Sequence, residues 1–563
     1  MPPPLLFAII GAVTGLFISQ VVIHFKGNEF TFYLFTQALL VAIFAFIWKK
    51  QSTRFVIKSL LFMALLLFGL SYWFVNQGYG DSSHYSPLFI IALIQIAVIC
   101  TAFIQSWRPQ KPHFLYAGLF ENAWNNHFFL IFSGLLAGGF LLVLGLGTSL
   151  FGSIGFKQIS NVIWSKEITP VIVATLVGTG IGISREYDSL IFKIHGVFFA
   201  IFRVMAYLTA AIVILFTLSL PFSVGTLFDN RNTSLILLSI VAISILLLNT
   251  LVDSSGDESS DSLINQDLPP WRNRIFSLQI ILLPFLSVLS VYAILLRISQ
   301  YGLMPKRVVG LAVAILLSIY SVVYLYQLVK RKGKWTLGLA SVNPPLAIFW
   351  VAMLVVLASP LLDPIRLSVN NQVSRLQNEQ VGVDDFDFRA LKYRLGKRGQ
   401  VALEQLIANK ALPKYTEIKK IIGNLPSYKE EQQAFIEVIG TPPLEVESLK
   451  TRFTKGRCST QNPCYIKQVD MTGTGKKQAM VFIFYAKSLS AELYEFKNKW
   501  LLVKYYGNAL SYRIPFLATE ADIQPPLDKK QRKLIIETLK QNKEKLIPPK
   551  YKDLDLGSIK LRQ

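Results

Sequence analysis

The chain has 563 residues, 52% of them hydrophobic and 16% charged, with a mean hydropathy of +0.44 and a formal net charge of +23. A soluble domain carries about 25% charge, so this composition excludes one large aqueous core and points to repeated membrane spans concentrated before residue 360. More than half of the positive charge falls after that point, and in a membrane protein it favours an anionic membrane surface or envelope polymer over nucleic acid as partner.

The first residues, Met1-Pro2-Pro3-Pro4-Leu5, lack the basic region of a cleavable signal and open a retained first span. A bilayer core needs ~20 apolar residues per helix. Such runs lie near 5–22, 30–48, 55–74, 88–104, 128–151, 168–183, 197–220, 234–251, 275–296, 308–328 and 340–358, which makes about eleven spans. The run at 168–183 is the shortest and is rich in glycine. Continuous rather than alternating apolar character predicts helices, not a barrel.

Trp48, Trp73, Trp107, Trp124, Trp164, Trp271 and Trp335 fall at or just beyond span ends, where the indole ring is half buried and its N–H stays wet. Loops on the N-terminal side hold Lys49, Lys50, Arg54, Lys58, Arg108, Lys111, Arg185, Lys193, Arg272, Arg274, Lys330, Arg331, Lys332 and Lys334, about twice the count on the other side. The positive-inside rule then places the N-terminus in the cytoplasm, and an odd span number sends the C-terminal part to the far face. Gly11/Gly15, Gly134/Gly138 and Gly178/Gly182 are four apart within spans, a spacing that lets helix backbones approach.

No Asp or Glu lies inside a predicted span, which lowers the case for a proton- or sodium-coupled carrier. Arg203 is the one strongly polar residue well within a span. It either snorkels to the nearer interface or contacts an anionic group. Gln95 and Asn249 are expected to hydrogen-bond between helices. The acidic, Ser-rich stretch 253–261 reads as a solvated linker, and 112–126 as an interfacial amphipathic helix.

Past Ser359-Pro360 the pattern changes. Helices are predicted at 367–376, 388–395, 401–408 and 415–422, then strands at 464–469, 479–485, 491–496 and 500–506, with a turn at 472–476 and a polar helix at 528–545. The fold class is therefore an α-helical polytopic membrane protein of about eleven spans with a C-terminal α+β aqueous domain, divided as 1–360 and 361–563. Cys458 and Cys464 close a short loop, and a disulfide there fits an oxidising compartment. With four ligands wanted and no His nearby, a metal site is not expected. No cofactor is expected either. All five histidines precede residue 200, so the aqueous part has no Ser-His or Cys-His arrangement of its own. Asp384, Asp385 and Asp387 read as a solvated turn or helix start.

Three passages together resemble a bacterial membrane-protein family designated domain of unknown function 4153. They are Ala123-Trp124-Asn125-Asn126, then Tyr301-Gly302-Leu303-Met304-Pro305-Lys306-Arg307, and Leu362-Asp363-Pro364-Ile365-Arg366-Leu367-Ser368-Val369-Asn370-Asn371-Gln372-Val373-Ser374-Arg375-Leu376 with Asp385-Phe386-Asp387-Phe388 after it. The resemblance implies a multi-spanning architecture and lends no functional residues. Read physically, Pro305 suits a first helical turn, and Asp363-Pro364 an N-cap followed by its proline.

The functional expectation is a non-enzymatic inner-membrane protein that presents a basic extracytoplasmic domain to the cell envelope, as an assembly or maintenance factor. A transporter or flippase for an anionic amphiphile, with Arg203 as contact, is one alternative. A membrane-embedded enzyme using His195 with Glu186 and Asp188 is the other.

Overall fold

The computed structural model describes residues 2–24, 29–48, 51–79, 85–110, 114, 116–227, 233–251, 269–425, 435–440, 446–453, 458, 462–469, 478–484, 489–497, 499–506, 534–537, 541, 545–546, 554–555 and 560–561. The chain divides into two compact units, Met1–Ile422 and Gly423–Gln563.

The first unit is helical. Its elements are α1 (Pro3–His24), α2 (Glu29–Ile47), α3 (Thr53–Asn76), α4 (Ser86–Ser106), α5 (Tyr116–Ser153), α6 (Lys157–Ile163), α7 (Thr169–Glu186), α8 (Asp188–Leu227), α9 (Thr233–Thr250), α10 (Pro270–Tyr301), α11 (Pro305–Lys330), α12 (Thr336–Leu357), α13 (Pro364–Gln377), α14 (Phe388–Tyr393), α15 (Gly396–Ala408) and α16 (Tyr415–Gly423). Every apolar run of the sequence is a helix. Among the described residues nine are long and apolar enough to cross a bilayer: α1, α3, α4, α5, the Gly196–Phe222 part of α8, and α9 to α12. The remaining two are α2, whose Thr31–Ile47 part is a shorter apolar helix, and α7.

Contacts between helix ends sort the bundle into two levels. At the first, a Cβ on Gly182 near the end of α7 would stand 2.5 Å from the Pro4 Cα at the start of α1. Arg185 of α7 donates to the Ala45 and Trp48 carbonyls at the end of α2, and Gln51 donates to the Gln105 and Trp107 carbonyls at the end of α4. At the second level, Lys397 bonds the Asn76 and Gln77 carbonyls after α3, Tyr79 bonds Asp363 after α12, and Gln372 bonds the Tyr301 and Leu303 carbonyls after α10.

Helix ends that touch share a level, and each crossing changes it. The path from the end of α3 to the end of α10 must therefore cross an even number of times; α4, α5, α8, α9 and α10 supply five, and α7 supplies the sixth. By the same rule the start of α1 and the end of α2 share a level only if α2 crosses too. Nine plus these two gives eleven crossings between Pro4 and Asp363.

The short glycine-rich α7 packs closely against α1 and α5. A Cβ on Gly11 or Gly178 would overlap the Ala174 or Phe7 carbonyl oxygen, and one on Gly15 would stand 2.5 Å from the Val171 Cα. Two of the three predicted glycine pairs thus mate with each other across α1 and α7. The third does not: a Cβ added to Gly134 or Gly138 would meet nothing within 4 Å, and it is Ser133 that meets Gly180. The helix expected at 112–126 does lead into the next span. From Tyr116 onward it is the first three turns of α5 itself, held by Trp124 and Phe120 against Phe199 of α8 at 5.2 and 5.9 Å between ring centres.

The sequence boundary at 360/361 follows hydropathy, whereas the compact units meet at Ile422/Gly423. The difference arises because α13 and α15 pack on the ends of the spans.

The second unit holds β1 (Ile436–Ile439), α17 (Val446–Phe453), β2 (Cys464–Val469), β3 (Gln478–Phe484), β4 (Leu489–Lys497), β5 (Lys499–Tyr506), and the short β6 (Lys545–Leu546), β7 (Leu554–Asp555) and β8 (Lys560–Leu561). Strands β1 to β5 form one sheet in that order, with β1 parallel to β2 and the rest antiparallel. The sheet is covered on both faces. Leu449 and Phe453 of α17 pack with Ile466, Val481 and Tyr494 on one face, and Ile535 packs with Met480, Phe482 and Leu493 on the other. Cys458 and Cys464 are joined by a disulfide with a Cα–Cα distance of 5.5 Å, buried in the first of these clusters. Strand β1 and helix α17 are additions to the expected meander. The stretch 253–261, the turn 472–476 and most of the helix expected at 528–545 lie outside the described residues; of the last, 534–537 is helical and Lys545 belongs to a strand.

Candidate functional site

Among the described residues of the first unit, a polar clasp stands at the second level. Asp363 ends the tight turn after α12 and caps α13: one carboxylate oxygen accepts from the Ile365 and Arg366 amides at 2.9 and 3.3 Å. Pro364 at the first helical position gives up no bond by lacking an N–H. The other oxygen lies 2.7 Å from the Tyr79 hydroxyl and 2.9 Å from Arg398 Nε. Arg398 also donates to the Tyr79 oxygen at 2.8 Å and lies over the Trp73 ring. Asp363 is 1% exposed. A buried carboxylate is costly unless paired and hydrogen-bonded, and here both oxygens are fully engaged. Burial first, and then the Asp363 carboxylate, push the Tyr79 hydroxyl well above the ordinary tyrosine range, so it stays protonated and donates.

The backbone fits as closely. Gly396 has φ +58°, and a Cβ there would stand 2.7 Å from the Tyr79 ring and 2.8 Å from the Gln77 carbonyl oxygen. Only glycine permits that approach, and it lets the Lys397 amide donate to Gln77 at 3.0 Å.

A second limb of the clasp holds the α10–α11 turn. The Leu303 amide donates to Asn371 at 2.7 Å. Gln372 donates to the Tyr301 and Leu303 carbonyls at 3.0 and 2.9 Å. Arg375 donates to the Ser299 and Gln300 carbonyls at 3.1 and 3.2 Å. Two passages singled out in the sequence, 301–307 and 362–376, are therefore docked on each other. In the third, Asn126 exchanges amide hydrogen bonds with Gln105 of α4 at 2.8 and 3.2 Å.

Inside the spans a neutral cluster joins four helices. Asn343 Nδ2 donates to Tyr116 at 2.8 Å and to Asn249 Oδ1 at 2.7 Å. The Tyr324 hydroxyl lies 2.8 Å from Asn343 Oδ1 and 3.0 Å from Asn249 Oδ1, and donates to one at a time. Gln95 accepts from Trp350 at 2.6 Å. Gln95 and Asn249 thus bond between helices as expected.

Of the predicted site residues, Cys458 and Cys464 are joined in the disulfide. Arg203 is half-buried on α8 and lines neither of two apolar cavities found in the bundle. Glu186 is exposed at the end of α7, while the side chains of Asp188 and His195 lie outside the described residues. His24 and His127 each bond the carbonyl four residues earlier on their own helix. Asp387 caps α14 through the Ala390 amide. Among the described residues no group of three His, Cys, Asp or Glu side chains could hold a metal ion. Sequence reasoning missed Tyr79, Arg398 and Arg185; the nearest signal was the N-cap reading of Asp363.

No family model, no curated protein and no solved structure matches the chain. The structure itself establishes a polytopic helical membrane protein with a disulfide-bonded α+β unit.

Proposed function

We propose that this is a bacterial inner-membrane protein, N-terminus cytoplasmic and C-terminal unit extracytoplasmic, that serves without catalysis as an assembly or maintenance factor of the cell envelope. The observation that carries this reading is the clasp: its buried carboxylate, Asp363, is bonded at both oxygens by the chain itself, as suits a fixed mount rather than a reacting or transporting site. The orientation rests on the loop charges and on the Cys458–Cys464 disulfide, which fits an oxidising compartment. The basic C-terminal unit suits an anionic lipid or envelope polymer as partner. Membership of the family of unknown function is proposed on the three passages that resemble it, and the docking of two of them on each other supports it.

The test is a deletion strain challenged with detergent and chelator. Increased sensitivity, restored by the wild-type gene and not by an Asp363→Ala variant that still reaches the membrane, supports the proposal. A deletion strain indistinguishable from the parent, or full rescue by that variant, defeats it.

A further inference from the structure

One of the two apolar cavities has a charged mouth. It encloses about 430 Å³, within the roughly 300–1,000 Å³ range of small-molecule sites. Its walls come from Met63 and Phe62 of α3, Cys100 and Phe103 of α4, and Ile348 and Val351 of α12. Phe62 and Ile348 are exposed, so the cavity opens to the side that faces lipid. Lys58 of α3 closes one end.

Aromatic rings mark the depth of that end. Phe55 stacks on Trp107 at 6.0 Å, and Phe114 meets the Trp107 edge at 5.4 Å. Indole and phenyl rings grouped at a span end sit at headgroup level. Lys58 lies three residues further along α3, about 4.5 Å deeper by helical rise, and its stem can lie along apolar surface with the ammonium turned up to that level. Lys58 is exposed and, among the described residues, has no ion-pair partner. Arg54 and Arg108 stand at the same end, and α3, α4 and α12 contain no Asp or Glu. Lys58 thus stands over a wall that is apolar except for Ser59, and the three helices that line it bring no carboxylate.

We propose that this groove is a binding site for an anionic phospholipid of the bilayer, with an acyl chain between α3, α4 and α12 and the headgroup phosphate on Lys58. The site is independent of the clasp, which lies at the opposite level, and of the proposed envelope role.

The full-length protein in nanodiscs of mixed composition is irradiated with a phosphatidylglycerol carrying a diazirine on its acyl chain, and in parallel with the phosphatidylcholine equivalent. Cross-linked peptides are mapped by mass spectrometry. The expected result is that peptides spanning 59–63 and 99–104 take up phosphatidylglycerol about five-fold more than phosphatidylcholine, the effect of one lysine near a headgroup. Lys58→Gln brings the two yields together, and Val351→Trp, which fills the groove, lowers both. Equal yields for the two lipids in the wild type, no change in Lys58→Gln, or yields no higher than on the exposed 142–150 face of α5 would overturn the proposal.

Discussion

Helices α1 and α7 meet backbone to backbone, with glycines where side chains would be, whereas α9, α11 and α12 meet through the amides and phenols of Asn249, Tyr324 and Asn343. Both are packing solutions for a bilayer, where lipid is as apolar as leucine and burial alone drives no association. The first gains close van der Waals contact and tolerates no added atom. The second tolerates side-chain change at the cost of one or two hydrogen bonds. The clasp is a third case, in which one carboxylate, Asp363, is buried at the edge of the spans and bonded at both oxygens. The difference teaches where this chain is brittle, and substitutions rank accordingly.

The largest effect is expected from Gly178→Leu, because the added side chain has only the Phe7 backbone to move. We expect no properly folded detergent-solubilised protein, measured as loss of the monodisperse peak in size exclusion. Gly134→Leu, at a site with nothing within 4 Å, should leave that peak unchanged and so sharpens the contrast. Next comes Asp363→Ala, which strands the Arg398 guanidinium and two helix-end amides. A cost of about 3–5 kcal/mol follows for breaking a buried pair, read as a lowered midpoint of thermal unfolding. Asn343→Ala removes bonds to three helices and should cost only about 1–2 kcal/mol, the range for interhelical hydrogen bonds.

The smallest effect is one of pH. Burial raises the Tyr79 hydroxyl in the fold, so its contribution is intact below the unfolded tyrosine value of about 10 and is lost above it, by roughly 1 kcal/mol per pH unit. Tyr79→Phe should remove that part of the alkaline loss in melts taken from pH 9 to 11.

Much of the fold is legible in the residues. Apolar length fixes each span, and enrichment in β-branched and aromatic residues places β2 to β5 within two residues of their observed bounds. Asp363-Pro364 carries its capping role in its own chemistry. The rest depends on partners far along the chain. Nothing local to Arg398 says that it will meet a carboxylate 35 positions earlier and a phenol 319 positions earlier. Strand β1 is only four residues long and is defined by its parallel partner, so periodicity could not find it. Arg185 resembles any loop cation until the carbonyl end of α2 is seen beside it, where a cation is favoured by the helix dipole. Gly134 and Gly138 fail for the converse reason: the spacing permits close approach but does not supply a neighbour.

The two levels of helix ends can be tested with two cysteines. Cys100 is replaced by alanine and the disulfide is kept oxidised, so that Glu379→Cys after α13 and Arg331→Cys after α11 carry the only thiols. An impermeant maleimide is added to intact spheroplasts and then to lysed ones. Eleven crossings with a cytoplasmic start require Glu379→Cys to react in both and Arg331→Cys only after lysis. Reaction of both positions from the outside, or of neither, would contradict the account.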